Sequence, residues 1–493
     1  MSLPEQLQMQ DMSANFSAQM NTQKVQPVSS SSETTRWELP KTGIMGNGYI
    51  EFQWQPGSDV TAGSNGGTLS GSIGAAACIE RIQLSSQSGT YVYDGRFWNS
   101  KQAVEKSWRD GAYNHFVAPY KDGSWFSHRM ADNITEPTAN QGRLRTSGIP
   151  FTPNGTPSPL GSDWCVPDVV KVGGVRSVGV TSQTLQQFQI NLADLLPFLY
   201  NVMIPTISTE TLYLDVFWTQ DDVNGSIYCP SSGQAYANAG SIVQGSNMFL
   251  VVDTMLYDDP AIMDSIFAHQ EANGGLLTMP YVDYNTQIIS NNRGGVPALN
   301  ESLERSLGCN DYQLTSIKNL ELAGLGATDP DSNNEFYGKY WSNGRNRRHL
   351  QFVLNDANLY PDNEATQSQN FNRVSQVYDH VVPYIPRSLY ATQVTPATGG
   401  ITPTTTFMGY TQQDGLSGAY NMCAVQLRDD AGQPFQNGNQ PVRLFYEKTS
   451  TTAMGTFNND SYQYYFVEYL RAFTISSTGR VQVNERLMND SPQ

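Results

Sequence analysis

Charge is scarce in this 493-residue chain, and positive charge is the scarcest. Asp, Glu, Lys and Arg make up 15% of the residues, and 29 Lys+Arg stand against 45 Asp+Glu, which gives a formal net charge of −16. A typical domain has about 25% charged residues. This balance excludes proteins that wrap nucleic acid, which need positive charge to neutralise phosphates, and it excludes coiled coils with Glu- and Lys-rich heptads. Uncharged polar residues and 26 Tyr take their place, a composition that suits surfaces packed against other proteins.

Long apolar runs and paired cysteines are lacking too. The most apolar stretch, 192–207, contains Asp194, Pro197 and Asn201, so it is too short and too polar to span a bilayer. The N-terminus has neither the basic nor the apolar region of a secretory signal. None of the five cysteines has C-x-x-C spacing, and their number is odd, which favours free buried thiols in a reducing compartment.

Motifs for catalysis and for metal binding are missing. The sequence has no G-x-S-x-G elbow, no Walker loop, no dinucleotide-binding glycine motif after a strand and no H-E-x-x-H. The five histidines have no metal-ligand spacing. Alternating oxygen ligands at 329–335 resemble the start of a calcium loop, but the sixth and twelfth positions are Asn and Tyr, which favours a solvated turn. We therefore expect no enzyme activity, no cofactor and no metal.

The N-terminal arm, residues 1–35, is the first candidate interaction site. Four of its apolar residues recur at four- to five-residue steps, which predicts a short amphipathic helix that docks on a neighbouring subunit or on the base of the domain. These residues are Leu7, Met12, Phe16 and Met20. A frayed tail is the alternative interpretation.

The second candidate is a basic cluster that precedes a predicted strand. It consists of Arg345, Arg347 and Arg348, followed by His349. It could contact phosphate, as in a packaged genome, or it could form interface salt bridges with the acidic surface. A single basic cluster on an acidic chain does not predict sequence-specific nucleic-acid binding.

From Arg36 onward the pattern is that of β-strands separated by Gly, Asn, Pro and Ser. Strands are predicted at 49–54, 78–84, 211–219, 247–257, 312–322, 350–354, 388–393, 422–427, 442–447, 462–475 and 481–484. Helices are predicted only at 96–109, 191–200 and 261–271, the last ending at Gly274–Gly275. Long polar connections at 132–165, 327–347 and 395–420 are candidates for exposed towers and subunit contacts.

Four segments, taken in order, resemble the first half of the double jelly-roll major capsid proteins of large eukaryotic DNA viruses, virophages and polinton-like viruses. They are WELPKTGIMGNGYIEFQW from Trp37, GAAACIERIQLSSQSGTYVYDGRFWNSKQAVEKSW from Gly74, IPTISTETLYLDVFW from Ile204 and NMFLVVDTMLYDDPAIMDSIFA from Asn247. The resemblance implies an all-β chain of two adjacent eight-stranded jelly-roll sandwiches with a few short helices. The expected ranges are 36–300 for the first jelly roll and 301–493 for the second with the C-terminal tail.

The resemblance also implies a structural function. Three copies would form a pseudo-hexameric capsomer, and capsomers would tile an icosahedral shell around double-stranded DNA, together with penton and minor capsid proteins. The protein would be made in the host cell without a secretory signal and would reside in the virion capsid. A jelly-roll carbohydrate-binding or glycan-cleaving protein is the alternative, which would need paired carboxylates and exposed aromatic residues in a groove. A receptor-binding fibre would be more repetitive.

Overall fold

A computed structural model gives the structure of the chain. It describes residues 18–56, 68–69, 74–108, 121, 186–200, 202–219, 227–228, 240–243, 247–258, 260–291, 300–306, 313–323, 347–354, 357–358, 376–377, 394–397, 400–403, 406–407, 410–411, 423–427, 435–436, 443–449 and 461–484.

The N-terminal half folds into two main antiparallel sheets. Its strands are β1 (Ala18–Val25), β2 (Ser29–Ser30), β3 (Thr34–Glu38), β4 (Ile44–Pro56), β5 (Thr68–Leu69), β6 (Ile79–Ser86), β7 (Tyr91–Arg96), β8 (Gln186–Asn191), β9 (Leu212–Trp218), β10 (Ile227–Tyr228), β11 (Gly240–Val243) and β12 (Phe249–Tyr257). One sheet has the order β1-β12-β4-β11, with β8 also paired to β4, and the other has the order β2-β3-β9-β6-β7.

The C-terminal half repeats this arrangement. Its strands are β13 (Leu276–Asn291), β14 (Asn300–Ser306), β15 (Gln313–Ala323), β16 (Arg347–Leu354), β17 (Ala357–Asn358), β18 (Val394–Ala397), β19 (Gly400–Pro403), β20 (Thr406–Phe407), β21 (Tyr410–Thr411), β22 (Cys423–Gln426), β23 (Phe435–Gln436), β24 (Arg443–Thr449), β25 (Ser461–Ser476) and β26 (Val481–Asn484). One sheet has the order β13-β25-β15-β22, flanked by β23 and β26, and the other has the order β14-β24-β16-β17.

Alternating apolar residues build the core of the N-terminal half. In β9 the side chains of Leu214, Val216 and Trp218 are buried, as expected for a strand with one face on the core. The ring of Phe52 in β4 lies 5.0 Å from that of Trp218, centroid to centroid, so the two sheets meet through large aromatic side chains. Burying one such side chain contributes about 4–6 kcal/mol, from 150–250 Å² at about 25 cal/mol per Å².

In the part of the chain that the structure describes, the sheets are supplemented by the α-helices α1 (Trp98–Trp108), α2 (Leu192–Leu195) and α3 (Pro260–Ala272). Single 3-10 turns occur at Gly74–Cys78, Pro197–Tyr200 and Thr206–Ser208. The helix predicted at 191–200 is interrupted before Pro197, because proline cannot donate the backbone hydrogen bond that would continue α2. The helices predicted at 96–109 and 261–271 are confirmed by α1 and α3.

The predicted strands are largely confirmed, by β4, β6, β9, β12, β15, β16, β22, β24, β25 and β26. The segment 388–393 lies outside the described residues. Within 395–420, expected to be a long loop, β18 pairs with β19 and β20 pairs with β21.

Two expectations need correction. The helical interpretation of the N-terminal arm is wrong at Met20, because β1 hydrogen-bonds along β12 from Ala18 opposite Tyr257 to Val25 opposite Leu250. The other three apolar arm residues, Leu7, Met12 and Phe16, lie outside the described residues. The expected boundary at residue 300 places β13 in the first jelly roll, yet this strand pairs along its whole length with β25 of the C-terminal half.

The strand directions give the molecule two different ends. The tight-turn end contains the turns 39–43, 87–90 and 477–480, where one strand leads directly into the next. At the opposite end, which we call the long-connection end, the main strands β4, β7, β9, β15 and β24 are followed by much longer stretches of chain before the next main strand begins. These stretches are 57–78, 97–185, 219–239, 324–346 and 450–460. Because Glu210 donates its backbone N–H to the carbonyl of Gly479 at 2.7 Å, the tight-turn ends of the two halves lie together.

Candidate functional site at the junction of the two halves

Four charged side chains meet between the N-terminal and the C-terminal half. Lys101 and Glu105 lie one turn apart on α1, Lys318 lies in β15 and Glu468 lies in β25. We call these four residues the junction cluster. Helix α1 belongs to the N-terminal half and both strands to the C-terminal half, so every ion pair between helix and strand joins the halves.

The lysines and glutamates of the junction cluster are in direct contact. The Nζ atom of Lys318 donates to Oε1 of Glu105 at 2.6 Å and to Oε1 of Glu468 at 2.8 Å. The Nζ atom of Lys101 lies 2.8 Å from Oε1 of Glu105 and 3.1 Å from Oε1 of Glu468. The hydroxyl of Ser316 donates to the other oxygen of Glu468. The two positive and two negative charges therefore balance.

The charged side chains of the junction cluster are largely removed from solvent. They are only 6–12% exposed. Burial alone would lower the pKa of Lys318, but the carboxylates of Glu105 and Glu468 outweigh it and raise that pKa. Burial alone would raise the pKa of Glu468, but the two lysines outweigh it and lower that pKa. Lys318 and Glu468 are thus held in their charged forms, because a buried charge is stable only when paired.

An aromatic seam continues the junction along β13. The hydroxyl of Tyr281 donates to the carbonyl of Val92, and that of Tyr284 donates to the carbonyl of Arg96 at 3.2 Å. The ring of Tyr284 also meets that of Tyr93 edge to face, with centroids 6.2 Å apart. Strand β13 is therefore fixed to β7 of the N-terminal half by both polar and aromatic contacts.

Asp283 adds a second buried ion pair on the same strand. Its Oδ2 atom lies 2.7 Å from Nη1 of Arg471 in β25. Burial raises the pKa of Asp283 to about 6, although the hydrogen bond and charge of Arg471 oppose the shift. This carboxyl therefore titrates well above the usual range of an aspartate.

A third contact closes the junction at the tight-turn end. The carboxylate of Glu210 accepts the backbone N–H of Val481 at 2.8 Å and the backbone N–H of Ser88 at 2.8 Å, so one side chain ties a turn of each half. Burial alone would raise the pKa of Glu210, but these hydrogen bonds outweigh it and lower it. Gly479 has a φ of +81°, and a Cβ there would lie 2.9 Å from the carbonyl oxygen of Ser208, so glycine is required for the close approach.

The junction is built for rigidity. Charged, aromatic and backbone contacts each link the same two halves, so sliding one half past the other would break buried ion pairs. Among the residues that the structure describes, no group of three or more His, Cys, Asp or Glu side chains could hold a metal ion. No helix in the described part of the chain is long and apolar enough to cross a membrane.

The candidate site residues chosen from the sequence lie elsewhere. Arg347 and Arg348 are the first residues of β16, with the backbone of Arg347 opposite Lys448 of β24, and Arg345 lies outside the described residues. Met20 is 68% exposed on β1. The segments 132–165 and 329–335 also lie outside the described residues. The expected free thiol is confirmed at Cys78, which is buried, and burial raises its pKa.

Sequence reasoning missed the junction cluster, because its residues are far apart in the chain. A signal was nevertheless present. Glu468 is the one charged residue within the apolar and aromatic run YYFVEYL of β25. Charged residues are almost never fully buried unless they are paired, so such positions indicate partners on another element.

Solved structures share this architecture over nearly the whole chain. The Sputnik virophage structure from cryo-EM matches with a TM-score of 0.60 at 12% identity, covering 98% of this chain and 92% of that chain. The mavirus major capsid protein matches with a TM-score of 0.52 at 12% identity, covering 98% and 91%. The PBCV-1 virus capsid model matches with a TM-score of 0.51 at 12% identity, covering 95% and 97%.

The chain has a double jelly-roll fold. The expected fold class, all-β with two adjacent jelly rolls, is thereby confirmed. No protein-family model matches the chain, and a search of curated proteins finds no match. The chain therefore shares its architecture with a structure to which it is identical at only about one residue in eight. The N-terminal half and the C-terminal half are the two jelly rolls, and the junction cluster lies between them.

Proposed function

We propose that this chain is the major capsid protein of an icosahedral double-stranded DNA virus. The double jelly-roll fold carries the proposal, since the matched structures include the mavirus major capsid protein and the PBCV-1 capsid. In this function the protein is a structural subunit of the virion capsid and catalyses no reaction. It would be made in the host cell without a secretory signal.

Three copies would assemble into one pseudo-hexameric capsomer. A trimer of a chain with two similar sandwiches presents six sandwiches around a three-fold axis, and closed symmetry of this kind leaves no unsatisfied interface inside the ring. Such an outline is hexagonal only if the two jelly rolls keep a fixed angle. The junction cluster, the aromatic seam and the Glu210 contact support that role, because they restrain relative movement of the jelly rolls.

The composition supports extensive self-association. A chain with 15% charged residues and 26 Tyr has the character of permanent interfaces, in which charge is depleted and aromatic residues are enriched. Capsomers would contact one another and would also contact penton and minor capsid proteins. The long connections, including 132–165, 327–347 and 395–420, are proposed as exposed towers and trimer contacts. The basic cluster at Arg345, Arg347 and Arg348 stays a prediction, either for phosphate or for interface salt bridges.

Mass in solution tests the proposal. A trimer of 54.5 kDa chains has a mass of about 164 kDa, which native mass spectrometry separates clearly from monomer and dimer. Negative-stain electron microscopy of the same sample should show particles with a hexagonal outline. A folded chain that stays monomeric at micromolar concentration would contradict the proposal. Removal of 395–420 should weaken trimerisation, and an unchanged trimer would contradict only the role of that segment.

A further inference from the structure

Large apolar side chains are exposed together at the tight-turn end. Four of them are each 39–43% exposed: Ile207, Leu256, Phe267 and Leu276. We call these four residues the apolar band. Single exposed apolar residues are ordinary, but a contiguous group of them marks an interaction surface.

The first part of the apolar band lies on the first jelly roll, around Gly43. The backbone N–H of Ile207 donates to the carbonyl of Gly43 at 3.1 Å. A Cβ built on Gly43 would lie 3.3 Å from Cγ of Leu256. Ile207 and Leu256 therefore flank the same glycine.

The apolar band then continues onto the second jelly roll. The carbonyl oxygen of Ser208 lies 2.9 Å from the position of a Cβ on Gly479, in the turn that follows Ser476. Ser476 pairs directly with Leu276. The backbone N–H of Glu210 donates to the carbonyl of Gly479 in that turn, so Ile207 and Leu276 lie on either side of the same backbone contact across the junction.

Helix α3 brings the fourth member to the same end. Its Gln270 donates a side-chain hydrogen bond to the carbonyl of Ile475 at 2.8 Å, which fixes the helix against the end of β25. Phe267 lies one turn earlier on that helix, at a spacing that places both residues near one face. The band therefore extends over both jelly rolls and onto α3.

The N-terminal segment of the chain starts beside this band. Strand β1 begins at Ala18 opposite Tyr257, and Gln19 lies opposite Leu256. The residues before Ala18 include Leu3, Leu7, Met9, Met12 and Phe16 and no Lys or Arg. A segment of this length spans about 25 Å as a helix and about 55 Å when extended, so it can follow the band from its point of attachment.

We propose that residues 1–17 dock on the apolar band of their own chain. Phe16 precedes Ala18, the first residue of β1, by two positions, so its point of attachment is close to Leu256. Methionine suits the remainder because its flexible thioether fits irregular apolar surfaces. Attachment to the same chain gives the segment an effective concentration in the millimolar range, which favours it over a free partner. This inference does not depend on the capsid function.

Photo-crosslinking tests the contact and the identity of the chain. With p-benzoylphenylalanine in place of Phe16, we expect crosslinked peptides that contain Ile207 or Leu256. When ¹⁴N- and ¹⁵N-labelled chains are mixed in equal amounts while unfolded and then refolded together, so that any oligomer contains both, the two crosslinked peptides should carry the same isotope. Mixed-isotope peptides would show that the occupant is a second copy, and crosslinks only to other surfaces would also overturn the proposal. The change Leu256→Ser should lower the crosslink yield several-fold, while Ile288→Ser, equally exposed on β13 near the long-connection end, should not.

Dye binding provides a second test. Deletion of residues 2–17 should raise the fluorescence of anilinonaphthalene sulfonate several-fold by uncovering the apolar band. Combining the deletion with Ile207→Ser and Leu256→Ser should remove most of that rise, and combining it with Ile288→Ser should leave it intact. A deletion that leaves the fluorescence unchanged would overturn the proposal. If the deleted protein fails to fold, the crosslink yields of the full-length variants decide.

Discussion

Replacing Lys318 with methionine should destabilise the protein strongly, because it leaves a buried negative charge without a partner. In the wild type two lysines balance two glutamates, and Lys318 contacts both carboxylates at 2.6 and 2.8 Å. Within the junction cluster, Lys318→Met leaves Lys101 alone to balance Glu105 and Glu468. Methionine keeps the length and the apolar stem of the side chain, so the change removes mainly the charge.

The expected size of the loss follows from the contact geometry. At an effective dielectric constant of about 20, two unit charges about 2.7 Å apart attract by about 6 kcal/mol. Desolvation of each ion costs several kcal/mol, so most of that attraction is offset in the intact junction cluster. Removing one partner leaves the desolvation cost without the attraction, and the expected loss is about 3–5 kcal/mol.

Restoring the balance should recover much of this stability. Of the junction cluster, the double variant Lys318→Met with Glu468→Gln keeps the electrically neutral pair of Lys101 and Glu105, so we expect it to be more stable than Lys318→Met alone. Exposed Arg96→Met is the matched control, because Arg96 lies 3.1 Å from Asp94 but is 62% exposed, and such a pair contributes under about 1 kcal/mol.

Equilibrium unfolding in guanidinium chloride, followed by Trp fluorescence and by circular dichroism, measures these changes. In the wild type the unfolding transitions seen by fluorescence and by circular dichroism should coincide. In Lys318→Met the two transitions should separate, because the junction cluster couples the two jelly rolls. A loss below about 1 kcal/mol for Lys318→Met, or a double variant less stable than the single one, would refute the reasoning.

Three further predictions concern single groups. Gly48→Ala should lower the free energy of unfolding by about 1–3 kcal/mol, because its Cβ would lie 2.3 Å from the carbonyl oxygen of Val251. Gly89→Ala is the control, since a Cβ at Gly89 meets nothing within 4 Å. Any loss of stability in that variant should come only from its φ of +87°. Because burial raises the pKa of Asp283 to about 6, the folded state binds this proton more tightly than the unfolded chain, so the group adds stability as the pH falls from about 7 to about 4. Asp283→Asn should abolish this gain of about 3 kcal/mol, and melting temperatures of both proteins over that range, which should converge in acid, measure it. Buried Cys78 should resist alkylation by iodoacetamide in the folded protein and react after unfolding, as peptide mass spectrometry would show, and rapid labelling of the native protein would contradict its burial.

Most strands could be predicted because their residues alternate between core and surface. The apolar positions of β9, such as Leu214 and Val216, indicate the buried face without knowledge of any partner strand. Strand β13 was missed for a physical reason: Pro280 and several polar residues break its pattern, and it is held instead by its ladder with β25. The arm around Met20 has apolar residues at helical spacing, but the free edge of β12 supplied backbone partners that a short helix lacks.

The junction cluster could not be predicted as a unit from the sequence. Lys101 and Glu105 have a spacing that favours a helical ion pair at a surface, and only the packing of α1 against β15 and β25 buries them. Loop spacing and composition indicate where a chain can bind others, whereas a contact between residues more than 200 positions apart depends on the completed fold. The charge of Glu468 within the apolar and aromatic run YYFVEYL is the local sign of it.

The two ends of the molecule differ in the changes that they can absorb during evolution. At the tight-turn end, Gly479 and the carboxylate of Glu210 leave no space for an added residue, so an insertion there would separate the jelly rolls. At the long-connection end, the closing cost of a loop grows only slowly with its length, about 0.6 kcal/mol for each doubling. Sequence drift and inserted segments should therefore accumulate at that end, and a foreign peptide inserted there should be tolerated better than one inserted at the tight-turn end.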